Sequence, residues 1–203
     1  MSVMGEHPFI VKLRYAFQTH DKLFLISDYC PGGDLSQYLE IEGVFSEDKA
    51  KKYCSQILLA IEALHNRNII YRDLKPDNVV IDIDGNALLT DFGLSREGVK
   101  KSELGAKSFC GSYAYLAPEM LEKKGHGKAV DWYLLGVVLY EMVTGLPPYY
   151  ADDKTELFDN IKTNELDLSE EVTKNLSPSC VDILRQLLHK DPHIRLGTAS
   201  GAQ

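Results

Sequence analysis

The stretch from Val130 to Thr144 is apolar on nearly every side of a helical wheel, so a helix formed there has no face it can turn to water. It falls short of the roughly 20 apolar residues that a bilayer span needs. The alternative is burial in the middle of a domain, sheathed by other elements. Gly145 and Pro147-Pro148 stop the pattern and fix where this central helix ends. A chain of 203 residues with 44% hydrophobic content can supply the sheath, as one large domain or as a piece of a larger protein.

The sheath is legible in chain order. Phe9 to Phe17 alternates loosely and Leu23 to Ser27 is a short apolar run. With polar Gln18-Thr19-His20-Asp21 between them, they predict two antiparallel strands. Pro31-Gly32-Gly33 breaks the chain and predicts a flexible link, after which Asp34 is placed to cap a short helix through Leu39 and Ile41. Ser46 caps the next helix, with Glu47 and Asp48 at its positive end. Ala50, Tyr53, Ile57, Ile61 and Leu64 recur at steps of three and four, one buried face reaching to about Arg67. Val79 to Asp82 and Ala87 to Thr90 predict short strands around the turn Asp84-Gly85-Asn86. Glu97 to Lys107 is polar and aperiodic, a loop to be ordered on demand. Thr155 to Lys162 and Ser179 to Leu188 predict two further helices. There is no internal repeat. The fold class is α+β: a small β remnant joined by a glycine hinge to a helical body.

Charge and cysteine usage narrow the function classes. A net charge of −8 and a pI of about 5.2 argue against nucleic-acid partners and are compatible with basic peptides. Cys30, Cys54, Cys110 and Cys180 are widely spaced and form no C-x-x-C pair, which predicts a reducing compartment. With no membrane span and no secretory h-region, the expectation is a cytoplasmic protein with nuclear access possible.

Chemistry concentrates between Tyr71 and Asn78, Tyr-Arg-Asp-Leu-Lys-Pro-Asp-Asn. Asp73, Lys75 and Asn78 bring a carboxylate, an ammonium and a carboxamide into one loop. The following hairpin returns the chain at Asp91-Phe92-Gly93. Two acidic groups, an amide and a lysine at one place suit a metal-bound polyphosphate.

Tyr71 to Asn78, Asp91-Phe92-Gly93 and Ala117-Pro118-Glu119 occur in the order of three signatures of eukaryotic protein kinases, which the sequence therefore resembles. Tyr71, Asp91 to Gly98, Ser108-Phe109-Cys110-Gly111, Tyr115 to Glu119, and Asp191-Pro192 leading to Arg195-Leu196-Gly197 resemble the AGC group, in its protein kinase B and serum/glucocorticoid-regulated kinase branch. The resemblance implies a mainly helical C-lobe (34–203) after an N-lobe remnant (1–28) and a hinge (29–33), with an activation segment at 91–119. It implies ATP and Mg²⁺ as cofactors and Ser/Thr side chains of proteins as acceptors.

The resemblance also assigns roles. Asp73 would accept the hydroxyl proton and Lys75 would neutralise charge on the phosphoryl group. Asn78 and Asp91 would hold Mg²⁺. Asp28 to Cys30 would bond adenine through the backbone, Val80 would lie under the ring, and Asp34 would reach the ribose. Asp77 and Thr90 complete the expected nucleotide site. Ser27 falls at the gatekeeper position, where a small residue would open a back pocket to bulky inhibitors. Tyr71 and Phe92 would stack to hold the metal-binding Asp. Asp131, costly to bury without partners, would accept bonds from the catalytic-loop backbone, and Glu119 would pair with Arg195.

Ser108 falls at the phosphosite of an upstream activating kinase, with Arg72 and Arg96 placed to clamp the phosphate. Ser112 retains the hydroxyl that contacts the catalytic Asp and Lys. Asp34, Asp77 and Glu141 fall where basophilic members meet substrate arginines, while Tyr113-Ala114 replaces the family's Pro-Glu in the loop that cradles the peptide. Nothing before Phe9 resembles the Gly-rich strand pair, the phosphate-pairing lysine or its helix glutamate. Lys12 and Lys22 lack the strand context to replace that lysine. The bare chain is therefore expected to bind ATP weakly. Two readings remain: a serine/threonine kinase seen as an incomplete domain, or a truncated pseudokinase-like interaction module.

Overall fold

The computed structural model describes residues 6–99, 113–122 and 125–202. The architecture is α+β, a helical body carrying two separate two-stranded antiparallel sheets. The first sheet joins β1 (Leu13–Gln18) to β2 (Leu23–Ser27), with Phe17 opposite Phe24 and their rings stacked 5.0 Å apart. Phe9 to Val11 does not extend β1. It runs beside the second sheet instead, where the Val11 N–H donates to Leu89 O and the Leu89 N–H to Phe9 O, both at 2.9 Å. The local alternation could not show which partner those residues would choose.

Next come α1 (Leu35–Glu42) and α2 (Glu47–His65). Their caps form as the side chains allow: Asp34 accepts from the Gln37 N–H and Ser46 from the Lys49 N–H. The link before α1 is tied down rather than free. The Gly32 N–H donates to Ile81 O at 3.0 Å, and the Ile81 N–H to Gly33 O at 2.9 Å. A Cβ on Gly32 would lie 2.7 Å from Ile81 Cβ, so only glycine permits this approach. The turn residues Pro31-Gly32-Gly33 announced a break, and what they provide is a close backbone contact with the second sheet.

That second sheet is the hairpin of β3 (Val79–Ile81) and β4 (Ala87–Leu89), closed by the Asp82 carboxylate accepting from the Asp84 and Asn86 N–H groups. It packs on α2, whose Gln56 accepts from the Ala87 N–H at 2.8 Å. Beyond it lie the short helix α3 (Pro118–Leu121) and the central helix α4 (Ala129–Thr144). Every residue of α4 except Glu141 and Thr144 is buried, with α2 on one side and α7 (Pro178–Leu187) on another. Burial of Leu134, Leu135, Val137 and Val138 stabilises the body by about 1.5–3 kcal/mol per side chain. Helices α5 (Lys154–Thr163) and α6 (Glu170–Thr173) complete the body. The four-residue α3 and α6, and single 3₁₀ turns at Pro76–Asn78 and Tyr113–Tyr115, were not legible beforehand, since one turn has no period. Among the described residues no helix is long and apolar enough to cross a membrane.

Candidate active site

The site is assembled by α4. Asp131, on its first turn, has no exposed surface and spends its carboxylate on three donors. The Tyr71 N–H (2.9 Å) and the His65 ring (2.7 Å) meet one oxygen, and the Arg72 N–H (2.8 Å) meets the other. These bonds hold Arg72 at φ 70, in the left-handed region that side chains other than glycine rarely adopt. His65 was not singled out from sequence. The available signal was its place in the stripe Ile57, Ile61, His65 on the buried face of α2, where a polar ring must find a partner.

After the strained turn, Asp73 lies nine-tenths buried. The Asn78 carboxamide donates both to the Asp73 carbonyl and to its carboxylate, each at 2.8 Å. Burial lifts the Asp73 carboxyl above the usual carboxylate range. The Asn78 bond and the Lys75 charge oppose that rise, while Asp91 and Asp77 add to it. Asp91 is thus brought back beside Asp73 by the hairpin. Its φ is 49, and one of its oxygens accepts from the Gly93 N–H at 3.0 Å. The Phe92 ring meets Tyr71 edge-on at 5.3 Å, and the Tyr71 hydroxyl donates to Thr90 O. The Thr90 N–H in turn donates to Asn78 O at 3.0 Å.

This donor set fits a hard divalent cation. Because the Asn78 nitrogen is used on Asp73, its carbonyl oxygen is left for a metal beside the Asp91 carboxylate. Among the described residues no three His, Cys, Asp or Glu side chains cluster into a metal cage. Mg²⁺ would therefore complete its shell with phosphate oxygens and water.

The remaining candidates fall into two groups. At the nucleotide end, Ser27 closes β2 in an exposed position and Cys30 is half-buried. Asp28 is clasped through both carboxylate oxygens by Arg14. Val80 is the half-buried residue of β3, between buried Val79 and Ile81. Asp34 accepts from Ser36 Oγ, the Gln37 N–H and Gln37 Nε2, at 2.6 to 3.0 Å. Burial works to raise its carboxyl, but those bonds outweigh it and hold it below the usual range.

At the opposite end, Tyr115 Oη donates to Glu141 at 2.8 Å, and the charge of Asp77 acts on both. Burial pushes the Glu141 carboxyl up to about 7. Asp77 and Glu141 are therefore neighbours, while Asp34 is engaged in its own helix cap. The Tyr113 ring, next to this pair, meets Phe158 edge-on at 5.7 Å and lies under Lys154 Nζ at 3.7 Å. Ser108 and Ser112 lie outside the described residues. Arg72 Nε donates to Leu94 O at 2.8 Å, and the Ile70 and Arg96 backbones exchange two bonds of 2.9 Å. Finally, Arg195 makes a two-pronged pair with Glu119 (2.6 and 3.0 Å) and gives further bonds to the carbonyls of Ala129, His189 and Lys190.

The model of the protein kinase domain family matches residues 1–203. The human serine/threonine-protein kinase Sgk2 is 46% identical over 192 residues, 95% of this chain and 51% of that protein. Protein kinase 2 of Dictyostelium discoideum is 45% identical over 197 residues, 97% of this chain and 40% of its own length. The rat RAC-beta serine/threonine-protein kinase is 47% identical over 193 residues, 94% of this chain and 39% of its own length. The chain thus spans about half or less of these curated relatives. With the family matched along its whole length and with AGC kinases as relatives, the chain belongs to the protein kinase domain family, on its AGC serine/threonine branch.

Proposed function

We propose that this chain carries the catalytic body of an ATP- and Mg²⁺-dependent serine/threonine protein kinase whose substrates bear basic residues upstream of the acceptor. The observation that carries the reading is the convergence of Asp73, Asn78 and Asp91, with Asn78 turned so that its nitrogen serves Asp73 and its oxygen is left for a cation. Mg²⁺, when bound with ATP, supplies charge neutralisation for the phosphates.

Asp73 accepts the hydrogen bond and then the proton of the substrate hydroxyl, and its raised carboxyl makes it a better base than a free aspartate. Asn78 holds Asp73 in place from the side. Lys75 offers an ammonium to the phosphoryl oxygens. Ser112 contributes its hydroxyl to the acceptor side. Asp77 and Glu141 receive a substrate arginine, while Asp34, at the nucleotide end, serves the ribose and a separate basic side chain of the substrate. Cys30, Asp28, Ser27, Val80 and Thr90 frame the adenine. Ser108 is phosphorylated by an upstream kinase and its phosphate is clamped by Arg72 and Arg96. The free thiols Cys30, Cys54 and Cys180 support a reducing compartment, cytoplasm or nucleus.

The test is transfer of labelled phosphate from ATP–Mg²⁺ to a serine peptide with upstream arginines, using the full-length protein. Asp73→Asn is expected to lower kcat by about 10²–10⁴-fold with little change in peptide KM. Peptide binding without turnover in the wild-type protein would favour the interaction module instead.

A further inference from the structure

Cys54 and Cys180 lie far apart in the chain, and neither takes part in the reaction above. Both are free thiols, more than nine-tenths buried, Cys54 on α2 and Cys180 on the first turn of α7. They share the wall of one half-open cavity of about 270 Å³ with Leu58 of α2, Leu139 of α4 and Ile183 of α7. A thiol sealed in a core behaves as a small apolar group and is chemically inert. These two are not sealed, because the cavity gives water and small solutes a route to both.

The helices that carry them are bolted together at one end. Glu47, the first residue of α2, accepts from the Ser177 N–H at 2.7 Å and from its hydroxyl at 2.6 Å. Ser177 Oγ accepts in turn from the Cys180 N–H at 3.1 Å and so caps α7. Cys54 lies two turns beyond Glu47 on the same face of α2, and Cys180 lies one turn beyond Ser177. The bolt therefore fixes the register in which the two thiols face one cavity. We propose that Cys54 and Cys180 are a redox-active pair, converted by hydrogen peroxide into a disulfide that ties α2 to α7 across this cavity.

The step balances with one peroxide. The Cys180 thiolate attacks one peroxide oxygen, the O–O bond breaks, and hydroxide leaves with the thiol proton as water. The Cys54 thiolate then attacks the sulfur of the resulting sulfenic acid. The S–S bond forms, the S–O bond breaks, and a second water leaves with the second thiol proton. Two electrons pass from the sulfurs to the peroxide. A dithiol reductant reverses the bond by exchange. Glu47 and Lys51 are the charged groups at the cavity wall. Burial and then the neighbouring Cys180 push the Cys54 thiol up to about 12, and burial and then Glu47 push Cys180 up to about 11. Cys180 is thus the first nucleophile. Oxidation is slow at neutral pH and quickens by up to about tenfold per pH unit as thiolate forms. The pair responds to sustained rather than brief exposure.

The experiment exposes native full-length protein to hydrogen peroxide from about pH 7 to 9, blocks the remaining thiols, and maps linked peptides by mass spectrometry. A Cys54–Cys180 crosslink should appear, faster at the higher pH, and vanish on treatment with a dithiol. Closing so long a loop should raise the melting temperature of the oxidised protein by about 5–10 °C. Cys54→Ala and Cys180→Ala should each lose both the crosslink and the shift, and melts of the reduced variants check that they fold. The mapping on wild type stands whether or not the variants do. Three results overturn the proposal: Cys180 oxidised without a crosslink, either thiol linked instead to Cys30 or Cys110, or both thiols untouched across the pH range. A crosslink without the thermal shift would show that it forms only on an opened body, and overturns the tie between the helices.

Discussion

Asp73 and Glu141 are both carboxylates lifted by burial, and they respond to pH in the same sense. A carboxyl whose folded value lies above its unfolded one favours the fold while it stays protonated, and loses that contribution as pH rises through the folded value. For Glu141 the loss runs from the ordinary carboxyl range up to about 7. Its size is on the order of 3 kcal/mol. Glu141→Gln keeps an acceptor for Tyr115 Oη and removes the charge. It should therefore leave stability unchanged near pH 4.5 and raise it by roughly that amount at pH 8, read from urea titrations at the two values. The same variant should lose preference for upstream arginine, because an ionised Glu141 is what a guanidinium pairs with. Equal stability of variant and wild type at pH 8 would mean that the Glu141 carboxyl is solvated in solution. Neither carboxylate could be ranked this way from sequence, since the raised carboxyl comes from what covers it. The residue types themselves were legible: Asp73, Asn78 and Asp91 were named from spacing and resemblance, and the structure brings them together. His65 and Tyr115 acquire their partners only through packing: the stripe on α2 says that the His65 ring needs a partner, not that it is Asp131.

Among the elements, long ones were read well and short ones poorly. Helices α2 and α4 repeat their pattern often enough to fix their buried faces, and their caps Ser46 and Gly145 sit where the side-chain chemistry put them. The single turns at Pro76–Asn78 and Tyr113–Tyr115 are shaped by the hydrogen bonds of their neighbours instead. The glycine link is the most instructive case. Its composition suggested freedom, and its environment imposes contact: backbone bonds on both Gly32 and Gly33, and no room for a Cβ. Gly32→Ala should push the link away from β3 and cost about 1–3 kcal/mol, as overpacking of a tight contact does. Thermal melts of variant and wild type measure it. An unchanged melting temperature would mean that the link is detached from the hairpin in solution.

Across the whole molecule, the pair between Glu119 and Arg195 ties the segment before α4 to the segment after α7. Arg195 is 2% exposed and all of its bonds are internal, so its removal leaves a buried carboxylate without its partner. Arg195→Met should destabilise by about 3–5 kcal/mol. Glu119→Gln with Arg195→Met should recover part of that loss, since the stranded charge is then gone. Chemical denaturation of the single and double variants decides it, and equal stability of the two would mean that Glu119 is protonated once alone. The ribbon of β1 and β2 is joined to this body quite differently. It is fastened at Phe9 to Val11, along Leu89, and again at Gly32 and Gly33, against Ile81. A body pinned at one point can tumble, but one pinned at two can only turn about the line between them. Both pins stand on the β3–β4 hairpin, at Leu89 and Ile81, so that hairpin is the door frame and the ribbon is the door. Both attachments lie on the strands leading out of Asn78 and into Asp91, so the ribbon is fastened to the same hairpin that carries the candidate metal ligands.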